Sequence, residues 1–119
     1  MSTIMLAEDD LTMILLLKTL LGMEGYRVIA LGINEDVYEA VRRERPDLLL
    51  MDVHLPHVSG LEVLDKLRAD AEVKDTCVVM SSGMNLEAEC LAHGADDFLL
   101  KPYMPDDLLD MLKRQLQNS

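Results

Sequence analysis

Aromatic side chains are scarce in this sequence: no Trp, one Phe and three Tyr among 119 residues. A flavin-binding electron carrier would have few rings to stack against its isoalloxazine, so that class is disfavoured. Basic residues are also few, 11 Lys and Arg against 22 Asp and Glu, for a formal net charge of −11. A surface that acidic repels phosphate backbones and anionic lipid, which argues against direct nucleic-acid or membrane binding. The two cysteines, Cys77 and Cys90, have no metal-ligand spacing and read as reduced thiols of a cytosolic protein. Long apolar runs are missing as well. The longest, Met13 to Leu17, falls far short of the roughly 20 residues of a membrane span, and Met1 to Asp9 does not resemble a signal peptide. The expectation is a soluble cytoplasmic chain.

Half the residues are apolar and 28% are charged, a globular composition, and 119 residues suit a single domain spanning 1–119. The apolar residues gather in short blocks: Thr3–Ala7, Tyr26–Leu31, Asp47–Met51, Cys77–Met80 and Phe98–Leu100. Blocks of that length, apolar throughout and bounded by Gly, Pro or polar residues, suit strands of a parallel sheet covered on both faces. Helix-length stretches separate them: Leu11–Met23, Glu35–Arg45, Val58–Arg68, Leu86–Ala92 and Pro105–Gln117. Gly25 suits a left-handed helix end, and Pro105 before Asp106 and Asp107 suits a helix start. The predicted fold is a doubly wound α/β sandwich with right-handed crossovers.

In such a sheet, ligands bind beyond the carboxyl ends of the strands. The residues leaving those ends are Glu8 and Asp9, then Asp52, then Ser81, then Lys101. Taken singly, each has an ordinary explanation as a helix cap, turn residue or strand exit. Brought to one rim, they demand a cation, because two carboxylates about 4 Å apart repel by roughly 4 kcal/mol at an effective dielectric near 20. An all-oxygen set suits Mg²⁺, or Mn²⁺, rather than zinc. Beside such a metal a carboxylate can attack a phosphoryl group and become an aspartyl phosphate.

Four segments carry a resemblance across the chain: Ile4–Asp10, Met51–Pro56 with Gly60, Val79–Ser82 and Phe98–Pro102. In this order they resemble the receiver domain of bacterial two-component response regulators, whose chemotaxis member has strand order 2-1-3-4-5. The resemblance implies that order here, in a flavodoxin-like sheet. It implies Asp52 as phosphoacceptor, with Asp9 binding Mg²⁺ directly, Glu8 through water, and the backbone carbonyl of His54 as a further ligand. Ser81 and Lys101 would hold the phosphoryl oxygens, and the Lys101–Pro102 bond would be cis. Phe98 matches the aromatic that changes rotamer when Ser81 moves. The donor would be a histidine kinase or histidine phosphotransfer protein, and the chain would act on no substrate beyond its own phosphoryl group. His57 and His93 read as solvated surface.

The first helix carries nine apolar residues in its thirteen, more than one buried stripe uses. With Met13, Leu16, Leu17 and Leu20 turned inward, Leu11, Ile14, Leu15 and Leu21 would face out as a docking patch for the phosphodonor. An aspartyl-phosphate hydrolase of the haloacid dehalogenase type fits less well, since His54 stands where Asp-x-Asp needs its second acid. A receiver-like scaffold without phosphorylation is disfavoured because every chemical position is filled. Two organisations stay open, a stand-alone regulator and a piece of a longer protein.

Overall fold

The computed structural model describes residues 1–118. Five parallel strands, β1 (Thr3–Ala7), β2 (Arg27–Ala30), β3 (Leu48–Asp52), β4 (Cys77–Ser82) and β5 (Asp97–Leu100), form one sheet in the order β2-β1-β3-β4-β5. Helices α1 (Leu11–Met23), α2 (Val37–Glu44), α3 (Gly60–Ala69), α4 (Glu87–Ala92) and α5 (Pro105–Gln117) connect and follow them. The expected fold class and strand order are both observed.

Strand alternation divides the core in two. Met5, Leu49, Met51, Val78, Met80 and Phe98 pack with residues of α2, α3 and α4. Their chain neighbours Ile4, Leu6, Leu48, Leu50, Val79 and Leu99 pack with Leu17 and Leu21 of α1 and Leu108 and Leu112 of α5. The strands are apolar without a break because both faces are covered. Cys77 and Cys90 are buried, unbridged, and belong to opposite halves.

Local chemistry sets the element ends. Asp10 caps α1 by accepting from the amides of Thr12 and Met13, so the cap is neither Glu8 nor Asp9, and both are left for the rim. The helix closes through Gly25, at φ +88°, where the Gly25 amide donates to Gly22 O and the Tyr26 amide to Leu21 O. Helix α3 starts two residues later than expected, because Ser59 caps it through the Leu61 amide. Strand β4 runs two residues further than expected, through Ser81 and Ser82, both buried. Helix α2 is shorter at each end: Asp36 caps it and Arg45, in the left-handed region at φ 49°, ends it before Pro46.

The largest correction concerns α1. Leu21 is fully buried and so does not belong to the outward patch expected, whereas Ile14 is half-buried. Leu16, expected inside, is exposed together with Leu11, Leu15 and Met23. A helix apolar nearly all round leaves its rotation undetermined by periodicity. Its rotation follows from its partners instead, with Leu17 and Leu21 packed against the sheet and α5, and Met13 Sδ 3.9 Å from the Tyr103 hydroxyl.

Gly60 allows the chain after β3 to fold back on itself. Its amide donates to Val53 O at 2.7 Å, and a Cβ there would lie 2.6 Å from the carbonyl oxygen of Asp52 and 2.9 Å from Met80 Cε. Gly60→Ala should therefore lower stability by about 1–3 kcal/mol through overpacking, read as a lower urea midpoint. An unchanged midpoint would show that this turn is not sterically fixed.

Candidate functional site

Period two in the strands assembles the site. Glu8, Asp52, Ser81 and Lys101 each lie two residues beyond Leu6, Leu50, Val79 and Leu99, which all face α1 and α5. Side chains two apart share a face. The four polar groups therefore leave neighbouring strand ends on the same side, and Asp52 and Ser81 are direct partners in the β3–β4 register. Asp9, one residue beyond Glu8, completes the rim and is exposed.

The geometry is that of one electrostatic cluster. Carboxylate oxygens of Glu8, Asp9 and Asp52 lie within 4.8 Å of one another. The Lys101 ammonium reaches two of them, Glu8 Oε2 at 2.6 Å and Asp52 Oδ2 at 3.0 Å. Glu8 Oε1 accepts from the amides of Asp9 and Asp10, at 3.1 and 3.2 Å, and Asp52 Oδ1 from the His54 amide at 3.3 Å. Asp9's carboxylate has no hydrogen-bond or ion-pair partner among the described residues. Glu8, Asp52 and Ser81 are buried and Lys101 is half-buried.

Burial pushes the Glu8 carboxyl above its ordinary pKa, with Lys101 opposing the rise. Burial works against the Lys101 charge too, but its hydrogen bonds to Glu8 and Asp52 prevail and raise its pKa. Three converging oxygen donors, one of them free of partners, fit a hard divalent cation such as Mg²⁺ or Mn²⁺ and offer zinc no sulfur or imidazole. The acidic cluster expected from the sequence is thus present.

The remaining predicted residues are placed as follows. The Lys101–Pro102 bond is cis. His54 is exposed beside the site. Phe98 is buried among the residues of the α2–α4 side, on the face of the sheet opposite Ser81. His57 and His93 are exposed as expected, yet each has a partner: His57 Nε2 lies 2.6 Å from Asn34 Oδ1, and His93 Nδ1 lies 2.8 Å from Asp65 Oδ1. Sequence reasoning missed half-buried Tyr103, whose hydroxyl pKa is pushed up to about 12 by partial burial beside the cluster. Nothing in the sequence around it announces that position except its place two residues after Lys101.

Comparison with known proteins agrees with this geometry. Residues 4–113 match the family described as the response regulator receiver domain. The DNA-binding response regulator MtrA of Mycolicibacterium paratuberculosis is 31% identical over 98% of this chain and 52% of its own length. The chain thus spans about half the length of the curated relatives it matches. A crystal structure of a response regulator from Chloroflexus aurantiacus is 27% identical, covers 98% of both chains and superposes with a TM-score of 0.89. The receiver domain of a sensor histidine kinase from Pseudomonas aeruginosa, solved with a magnesium ion coordinated in its active-site cleft, is 26% identical. It covers 98% of both chains, with a TM-score of 0.86.

Both shifts are upward, so both act on stability in the same direction, in different pH windows. A carboxyl whose pKa is raised on folding holds its proton more tightly in the native state. Stability therefore falls as pH rises from the ordinary Glu8 value of 4.5 through the folded one. The contribution of Lys101 is fully present below its ordinary value of 10.5 and is lost only as pH climbs through its raised one. Urea midpoints measured from pH 4 upward should decline more steeply in the native chain than in Glu8→Gln. Parallel slopes would contradict the assignment.

Proposed function

The chain belongs to the response regulator receiver domain family, and we propose that it is a phosphorylation-dependent switch of two-component signal transduction. The observation that carries this reading is the convergence of Glu8, Asp9 and Asp52 around the ammonium of Lys101. Asp52 is the phosphoacceptor: a carboxylate oxygen attacks the phosphorus of a phosphohistidine donor, forming an O–P bond as the P–N bond breaks. The imidazole leaves with that electron pair and takes up a proton. Glu8, Asp9, Asp52 and the carbonyl of His54 would hold Mg²⁺, which when bound offsets charge on the phosphoryl oxygens. Lys101 moves from carboxylate to phosphoryl oxygens, and Ser81, across from Asp52 in the sheet, donates its hydroxyl.

Switching follows from the same contacts. Moving a two-state population from 1:99 to 99:1 takes about 5.5 kcal/mol. Charge-assisted hydrogen bonds contribute roughly 1.5–3 kcal/mol each, so one from Ser81 and one from Lys101 are of the right order. The displacement of Ser81 is read out at Phe98, which adjusts its packing in β5 and alters the surface around α4, β5 and α5. The chain turns over no external substrate. Its acidity supports a protein rather than a nucleic acid as its direct partner. Among the described residues no helix is long and apolar enough to cross a membrane, which is compatible with work in the cytoplasm.

The donor is a histidine kinase or histidine phosphotransfer protein, docked on the exposed apolar side of α1. Leu11, Leu15 and half-buried Ile14 remain from the expected patch, Leu16 joins them, and Leu21 drops out.

Two experiments test the reading. Incubation with Mg²⁺ and acetyl phosphate should add one phosphoryl group to the native chain by intact mass and none to Asp52→Asn; equal labelling of both would overturn it. Leu15→Glu should slow transfer from the phosphorylated donor protein about tenfold or more while uptake from acetyl phosphate is unchanged. Equal loss of both activities would count against docking on α1.

A further inference from the structure

A cavity of about 260 Å³ lies between the chain after β2 and the chain after β3, and it shares Glu8 and Asp9 with the acidic cluster. Its lining includes the buried apolar residues Leu31, Val37 and Val63, with the Tyr38 ring beside them and the exposed Ile33 and Val58. The hydrogen bond from His57 to Asn34, 2.6 Å long, ties the two connecting segments together there. An apolar concavity with a few convergent polar groups is the usual form of a small-ligand site. Apart from Glu8 and Asp9, none of its lining residues takes part in the steps given above for phosphoryl transfer.

The charges around it select the ligand. Of the four lining carboxylates, Glu8 is paired with Lys101, Glu35 with Arg43 at 3.3 Å, and Asp36 accepts the Glu39 amide as a helix cap. Asp9 alone has no partner among the described residues. Lys66, on the same lining, stands over the Tyr38 ring at 4.8 Å rather than against a carboxylate. Capping leaves Asp36 charged, so the four carboxylates outnumber Lys66, Lys101 and Arg43 by one. An anionic ligand meets repulsion here, and a neutral one gains nothing from Asp9. From this complementarity we infer that the cavity is a second binding site, for a small organic monocation whose ammonium pairs with Asp9 and whose hydrocarbon body fills the apolar floor. Because Asp9 is also a ligand in the proposed Mg²⁺ site, metal and amine exclude each other. That last clause rests on the proposed function; the cavity and its charge preference do not.

The test is an NMR titration of the whole chain, free of metal, with 2-phenylethylamine and its neutral analogue 2-phenylethanol. The amine should shift the amides of Ile33, Val58 and Val63 and bind at least about tenfold more tightly than the alcohol. Its affinity should fall as salt is added. Val58→Lys and Ile33→Lys, both at exposed positions that leave the core intact, should each weaken amine binding about tenfold or more. Equal affinity for amine and alcohol, shifts confined to another surface, or full-strength binding in both variants would overturn the inference. Repeating the titration with Mg²⁺ separates the two claims. Weakened amine binding supports both, whereas undiminished binding leaves the cavity assignment standing and counts against Asp9 as a metal ligand.

Discussion

The Lys101 ammonium sits 2.6 Å from Glu8 and 3.0 Å from Asp52, and the arrangement of the rim depends on this bridge. Three carboxylates gathered at the ends of two adjacent strands repel one another, and burial makes the repulsion harder to screen. A single ammonium from beyond the far edge strand bridges the two buried members, offsetting one of their two charges, and leaves exposed Asp9 unpaired. The bridge also links β5 to β1 and β3 across β4, so events at Asp52 are felt at β5 through a charge as well as through packing. Phe98 lies on β5, three residues before that lysine, which follows the strand's last residue.

The two ends of the sheet are built for different purposes. At the carboxyl end the groups are charged, partly exposed and incompletely partnered. At the other end, Arg68 of α3 donates to the carbonyls of Gly94, Lys74 and Thr76 and to Asp96, which also accepts the Val78 amide. That clasp satisfies backbone groups of two loops at once and fixes where β4 and β5 begin. Chemistry at one end is thus carried on strands whose other end is held firmly.

Much of this was legible in the residues because strand patterning is unambiguous when both faces are buried. Leu48–Met51 and Cys77–Met80 admit few other readings, and the polar residue ending each block marks the rim. The order of strands and the roles of Asp52 and Lys101 came from resemblance rather than from pattern. The rotation of α1 was not legible, since Leu16 and Leu21 are chemically identical and only Leu108, Leu112 and Tyr103, distant in sequence, decide which is buried. The Asp10 cap was hidden among three consecutive acids. The cavity beside Asp9 was illegible for a different reason: it is bounded by segments from β2–α2 and β3–α3 whose approach no local pattern encodes.

The most direct measurement of the central claim is an anomalous-difference map from crystals of the chain grown with Mn²⁺. A single strong peak is expected, with coordination distances of about 2.0–2.3 Å, contacting Asp9, Asp52 and the His54 carbonyl. Lys101 should remain close enough to neutralise the remaining carboxylate oxygens. A peak elsewhere, or none at saturating Mn²⁺, would contradict the view that these strand ends form one cation-binding centre.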